Sequence, residues 1–444
     1  MSTTNTTPTI DLIVSQITTS NNVESLSYNF KTAINRDINE SVLSSALANG
    51  QDPLSVLDLR THTLGVLYIL SARLHANFSQ YPPPQWQIVQ DFCANFIPEH
   101  ARLAPDRVSR LAKGIQRAAA LLGTPSSAIY PLLDLVTRYP PTPSHLTTIH
   151  SIFILTCVST RNFLPALPVL ANPITEIDTT NVSPDLTYND NLTYHYLGGV
   201  ALAALKKWKE AEEYFEICVT SPGTYPSGLQ MEALKKLRLV QLISCGKISG
   251  LPKYTNSHLL RLFKHTPYNA FISAYPKNAA VLREIVEKDK SLFSQEKNLG
   301  LITQALQRAP RWVLKKLTAT YVTLHLSDIG RLIKIDSEDE VRALLLSMIE
   351  SEDITAQISA DGTVTFSDPP AQFTREQVDD VLRAVQEQTA LLGYLELEVG
   401  RSKEFLSKMV KGGDSSSSSW AAAAEEDIFS GMGAQHVWDE SSAY

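Results

Sequence analysis

Ten histidines and four cysteines are the residues of this 444-residue chain best suited to chemistry, and their spacing assembles no familiar site. A catalytic zinc needs three converging protein ligands and an open position for water. The chain contains neither His-x-His nor His-Glu-x-x-His. His145 and His150 stand five apart, about 500° around a helix, so they are poorly placed to share one metal. His62 and His75 lie in apolar helical stretches and read as ordinary core or surface histidines. Cys93, Cys157, Cys218 and Cys245 are scattered without a Cys-x-x-Cys pair. That pattern points to reduced, buried thiols in cytosol or nucleus, not to a disulfide framework or a zinc site. No Gly-x4-Gly-Lys-Ser/Thr phosphate loop and no Gly-x-Ser-x-Gly elbow occurs, and the nearest glycine cluster, Gly431-Met432-Gly433, lies in a low-complexity tail. The expectation is therefore no catalytic, cofactor-binding or metal-ligating residues, no cofactor and no enzyme.

The elements that would position any site are helical. Up to about residue 310 the apolar spacing is that of helices almost everywhere, with no convincing strand. Asp52-Pro53 is a cap and first residue of a short helix, and "THTLGVLYILSARLHANF" follows with Leu64, Leu67, Ile69, Leu70 and Leu74 largely on one face. Helices are expected at 85–97, 101–122, 126–138, 145–158 and 161–170, punctuated by "YPPP" and "YPPTP". The polar stretch 174–191 reads as a connection between two parts of the array. "YLGGVALAALKKWKEAEEYFEICVTSP" (196–222) then forms a helical hairpin. Gly199 precedes Ala211 by twelve residues and Phe215 follows at i+4, the small-residue and Ala-x3-Phe spacing of a tetratricopeptide repeat. The usual tryptophan and tyrosine are missing and no clean second copy exists, so an unremarkable buried hairpin is the competing reading. Further helices are expected at 228–245, 256–265, 267–275, 277–287, 298–308 and 311–324.

Then the period changes. "LSDIGRLIKI" is a short helix with Ser327 as cap, and Ser337-x-x-Glu340 opens the next as a capping box. "ITAQISADGTVTF" alternates strictly: Ile354, Ala356 and Ile358 face one way, Val364 and Phe366 join them, and Asp361-Gly362 marks a tight turn. Helices followed by a β-hairpin make a winged helix. Thr374-x-x-Gln377 is a second capping box, opening a long helix to about Val410. Its 3–4 spaced seam holds Val378, Val381, Val385, Leu392, Leu395, Val399, Leu406 and Met409, interrupted by Gln388 and Ser402. The fold class expected is mostly α: a TPR-like, degenerate helical-repeat solenoid, then a winged-helix subdomain and a long C-terminal helix. The divisions fall at 1–190, 191–310, 311–370, 371–411 and 412–444, the last an acidic disordered tail.

Charge excludes some functions. The net charge of −7 owes six acids to the tail beyond residue 413, which has no Lys or Arg, leaving the first 413 residues at −1. That is not the balance of a dedicated nucleic-acid binder. The helix before the wing, 337–353, carries six acids against Arg342, a local charge of −5 that phosphates would repel. Lys206, Lys207 and Lys209, or Lys315 and Lys316, are short basic runs of the kind found on solvated helix faces. No apolar run is long enough to span a bilayer, and the N-terminus lacks a signal-peptide pattern. The Asn-x-Ser/Thr triplets at Asn77, Asn181 and Asn191 are then chance matches in an intracellular, soluble chain that contacts neither nucleic acid nor membrane.

Helical repeats leading into a winged helix and a long last helix resemble the PCI-domain subunits that build the proteasome lid, the COP9 signalosome and a translation-initiation complex. The stretches that carry the resemblance are "YHYLGGVALAALKKWKEAEEYFEICVTSP" (194–222), "GKISGLPKYT" (246–255), "NLGLITQALQ" (298–307), "LKKLTATYVTLHLSDIGRLIKI" (314–335) and "VRALLLSMIESEDITAQISADGTVTFSD" (341–368). It covers roughly 190–400, whereas 1–190 agree only in helical character. "GKISGLPKYT" and "LHLSDIGRLIKI" favour the signalosome over the lid. The resemblance implies a non-catalytic scaffold in the complex that strips a ubiquitin-like modifier from cullins. Its partners would be other PCI-domain subunits of that complex and, through the complex, cullin-RING ligases, in cytoplasm and nucleus. It also implies that wings of neighbouring subunits align, here through Ile354, Ile358, Val364 and Phe366, and that last helices gather in a bundle, here through the Val378–Met409 seam. Such a stripe also suits a helix packed against its own domain.

Overall fold

Short-range signals set most of the helix starts. A computed structural model describes residues 9–20, 22–34, 40–277, 279–367, 373–403 and 405–407. Asp52 caps Pro53–Val56 by accepting from the Leu54 N–H at 2.9 Å. The same carboxylate holds the buried Arg73 guanidinium, 21 residues on. Thr63–His75 is buried from Thr63 to Leu74, so it is a core helix enclosed all round and not the one-sided helix its leucines suggest. The segment 101–122 is two helices, Pro98–Arg102 and Pro105–Leu121, because the residue before Pro105 is pushed out of helical geometry.

Buried side chains from Ile10 to Ala309 form one continuous apolar cluster. The polar stretch after residue 174 is stitched onto this array. Tyr139 Oη donates to the Val182 carbonyl at 2.6 Å, and Asp185 accepts from Ser109 and Thr148 hydroxyls, both at 3.0 Å. Helix Tyr188–Ala204 begins inside that stretch, capped by Thr187 and Asp190.

Pro310 does not divide the chain into two helices. Leu299–Thr318 runs through it, losing one N–H but held on either side by buried Ala309 and Leu314. The expected helix at 311–324 also runs too far, since Thr323–His325 is a strand, β1. With β2 (Thr355–Ile358) and β3 (Thr363–Ser367) it makes a three-stranded sheet in the order β1-β3-β2. β1 pairs antiparallel to β3, with Leu324 opposite Val364.

Two compact units are distinguished, Met1–Thr365 and Phe366–Tyr444. In the second, the described helix is Arg375–Arg401, opened by the Thr374/Gln377 capping box with both hydrogen bonds present. It stops short of Val410. Ser402 is extended (ψ 138°), and its hydroxyl accepts from the Phe405 N–H at 3.2 Å, starting a new turn. Leu406 therefore lies beyond a break in the seam. Met409, the tail at 412–444 and its Gly431-Met432-Gly433 cluster fall outside the described residues.

Candidate interaction surfaces

The helical hairpin is built by close approach. A Cβ on Gly199 would lie 2.8 Å from the Phe215 ring, and one on Gly198 would lie 2.7 Å from Tyr214. Ala211 and Phe215 are fully buried. Gly199 and Phe215 thus meet as the spacing predicts, Ala211 is buried in the same hairpin, and Gly198 adds a second close approach. Tyr214 Oη ties the hairpin back to the Leu170 carbonyl at 2.9 Å.

Below the hairpin lies a charged network with no local sequence signal. Lys235 Nζ donates to Glu232 at 2.6 Å and to Glu296 at 2.7 Å. Glu296 accepts also from Tyr268 Oη, Asn298 donates to that hydroxyl, and Lys236 donates to Asn298, each at 2.7 Å. Burial alone would lower the Lys235 pKa, but the bonds to both glutamates outweigh it and leave the ammonium raised. Lys236 is lowered by its burial. The network pins the turn that leads into Leu299–Thr318 to Gly228–Cys245.

In the winged helix, His325 and not Ser327 is the cap of Leu326–Ile333. The Ser327 N–H donates to His325 Nδ1 at 3.3 Å, and Nε2–H can donate to the Asp361 carbonyl at 3.0 Å. One imidazole therefore clasps the helix start to the wing turn, where Gly362 takes φ +84°. Ser337 caps Glu338–Glu350 through the Glu340 N–H, the hydroxyl half of the expected box. Ile354, Val364 and Phe366 are buried and Ile358 is half-buried. These inward positions of alternating strands pack within the chain. What the wing presents outward is the rim strands β1 and β2.

The C-terminal helix is the opposite case. None of the described residues from Arg375 to Arg401 is buried, and Val378, Val381, Val385, Leu392, Leu395, Val399 and, past the break, Leu406 are all exposed. Leu382, Leu391, Tyr394 and Leu397 are exposed as well. At about 100° per residue these additions spread apolar side chains over about 220° of the helix between 391 and 399, beyond the seam.

The histidines and cysteines are spread through structural tasks. His145 meets Glu176 at 3.0 Å, while His150, buried, accepts from the Thr147 N–H at 3.1 Å. Burial pushes the His150 pKa down to about 3 and lowers His75 and His195. Cys157 and Cys218 are pushed up to about 12 by burial, Cys93 rises further, and Cys245 alone of the four is exposed. Among the described residues no three His, Cys, Asp or Glu side chains converge to hold a metal, and no helix is long and apolar enough to cross a membrane.

A helical array that runs into a winged helix defines the class, a PCI-domain protein, and residues 280–368 match the PCI domain. Residues 27–259 match the family described as COP9 signalosome complex subunit 3, N-terminal helical repeats. The chain is similar to COP9 signalosome complex subunit 3 of Dictyostelium discoideum, 29% identical over 392 residues, covering 84% of this chain and 91% of the relative. It is also similar to the protein of that name from Drosophila melanogaster, 30% identical over 354 residues, covering 73% and 77%. This chain belongs to the COP9 signalosome complex subunit 3 family.

Proposed function

We propose that the chain is a non-catalytic scaffold subunit of the COP9 signalosome, which removes a ubiquitin-like modifier from cullins and so regulates cullin-RING ligases. The observation that carries this reading is the capped helix Arg375–Arg401, whose valines and leucines are all exposed. An apolar stripe of that length is costly to leave in water and invites helices of other subunits. The rim of the wing supports the same reading, because an outer strand can extend a neighbour's sheet through its backbone. The chain works with other PCI-domain subunits in cytoplasm and nucleus, and reaches cullin-RING ligases through the complex. Affinity purification of the tagged chain with mass spectrometry tests this. Recovery of the other signalosome subunits in fixed proportion is expected, and recovery of proteasome-lid subunits instead would overturn it. The purified chain alone should leave cullin conjugates intact and bring no stoichiometric zinc in elemental analysis.

A further inference from the structure

A basin of about 630 Å³ opens where the end of Gly228–Cys245, the turn at Pro276 and Lys277, and the middle of Leu299–Thr318 come together. Its floor is Trp312 and Val313. Gly246 makes the floor possible: it closes its helix at φ +71°, and a Cβ there would come within 2.5 Å of the Trp312 ring. Only glycine meets both demands without strain.

The rim is cationic. Lys247, Lys277, Lys315 and Lys316 all line the basin and are exposed. Among the described residues the lysine ion pairs belong to other positions, Lys113, Lys207, Lys235, Lys236 and Lys290, and none engages these four. Lys315 Nζ stands 5.7 Å from the centre of the Trp312 ring. Asp353, in the adjoining cleft that Lys315 also lines, faces Arg311 at 3.9 Å. Four ammonium groups around one concavity repel one another, and an anion seated between them relieves that repulsion.

The floor narrows the choice of anion. A bare polyphosphate would satisfy the rim but make no use of the half-buried Trp312 and Val313 that line the basin. A nucleic-acid strand needs a basic track over several nucleotides, whereas the neighbouring 337–353 segment carries a local charge of −5. We propose that the basin docks an acidic peptide segment of a partner protein. One aromatic or large aliphatic side chain of that segment lies on Trp312 and Val313, and flanking carboxylates pair with the four lysines. No residue of the C-terminal helix lines the basin, so it stands or falls independently of the assembly reading.

Cys245 gives a direct readout, because it lines the basin and the other three cysteines are buried. The probe is a fluorescein-labelled hexapeptide with one phenylalanine among five Asp and Glu residues, added to the full chain. Saturable binding that weakens with salt is expected, and unlabelled peptide at saturation should slow maleimide alkylation of Cys245 at least about fivefold. Lys315→Glu with Lys316→Glu should weaken binding about tenfold or more, while Lys209→Glu, outside the basin's lining, leaves it unchanged. Replacing the phenylalanine by glycine should also cost about tenfold, the effect of losing the floor contact. Absence of both binding and protection at millimolar peptide would overturn the proposal. So would equal protection by tripolyphosphate or by a short oligothymidylate, since either would mean that charge alone is read.

Discussion

Val385→Asp combined with Leu392→Asp puts the C-terminal helix to its sharpest test. Val385 is 52% exposed and Leu392 57% exposed. Full burial of such a side chain is worth about 1.5–3 kcal/mol, so covering the open half of each contributes roughly 0.8–1.5 kcal/mol. Losing both removes about 2–3 kcal/mol from an interface. Each new carboxylate would then be stranded against apolar partners, adding a further desolvation cost of about 1–3 kcal/mol if it keeps some access to water. The total, on the order of 5 kcal/mol, weakens association by roughly three to four powers of ten. Inside the isolated chain the same changes touch exposed positions and cost only about 1 kcal/mol of helix propensity. Co-purification of the tagged variant from cells should therefore lose the other subunits, while circular dichroism of the purified chain stays near wild type. A folded variant that still incorporates normally would refute the bundle. Loss of helical signal in the purified chain would instead mean that the stripe serves its own domain. Tyr394→Asp refines the test, since Tyr394 lies about 160° round the helix from Leu392. If partners enclose the 391–399 turns on all sides this variant also fails to assemble, and if they meet only the seam it assembles.

Other outcomes follow from the body of the chain. Gly199→Val forces a branched side chain to within 2.8 Å of Phe215 and should cost about 1–3 kcal/mol, read as a lowered urea midpoint. Glu296→Gln removes the charge that faces Lys235 and leaves one amide oxygen for the two bonds that Lys235 and Tyr268 make to Glu296, with an expected loss of about 3 kcal/mol in the same assay. His150 is held neutral by burial, with its pKa pushed down to about 3, whereas the unfolded chain takes up that proton near pH 6.5. Its stabilisation is complete above about pH 6.5 and falls by about 1.4 kcal/mol per pH unit below that, down to about pH 3. His150→Gln keeps an acceptor for the Thr147 N–H and should remove that part of the slope between pH 6.5 and 5, and an unchanged slope would refute the assignment. Truncation at Gly412 should leave co-purification intact, because the sequence removed is acidic, low in complexity and outside the apolar seam.

What the sequence alone determined is what acts over four residues or fewer, or within one hairpin. Asp52 ahead of Pro53, and Thr374 with Gln377, name their helices because a cap reaches only to the second or third N–H. Gly199, Ala211 and Phe215 were legible because a hairpin of two helices returns fixed spacings to one crossing. The alternation from Ile354 to Phe366 gave the wing for the same reason. Tertiary structure decided which of those apolar residues are buried. The wing's Ile354, Val364 and Phe366 are buried, while the equally apolar Val385 and Leu392 are exposed, and periodicity alone cannot tell these two cases apart. It also overrode local rules: Pro310 is carried through a helix by the packing of its neighbours, and His325 takes the cap from Ser327 because the wing turn folds back beside it. Lys235 and Glu296, 61 residues apart, and Lys247, Lys277, Lys315 and Lys316, from three separate elements, share a site only because the chain path brings them there. No spacing rule spans such distances, since loop closure leaves the register between distant segments open until the core packs.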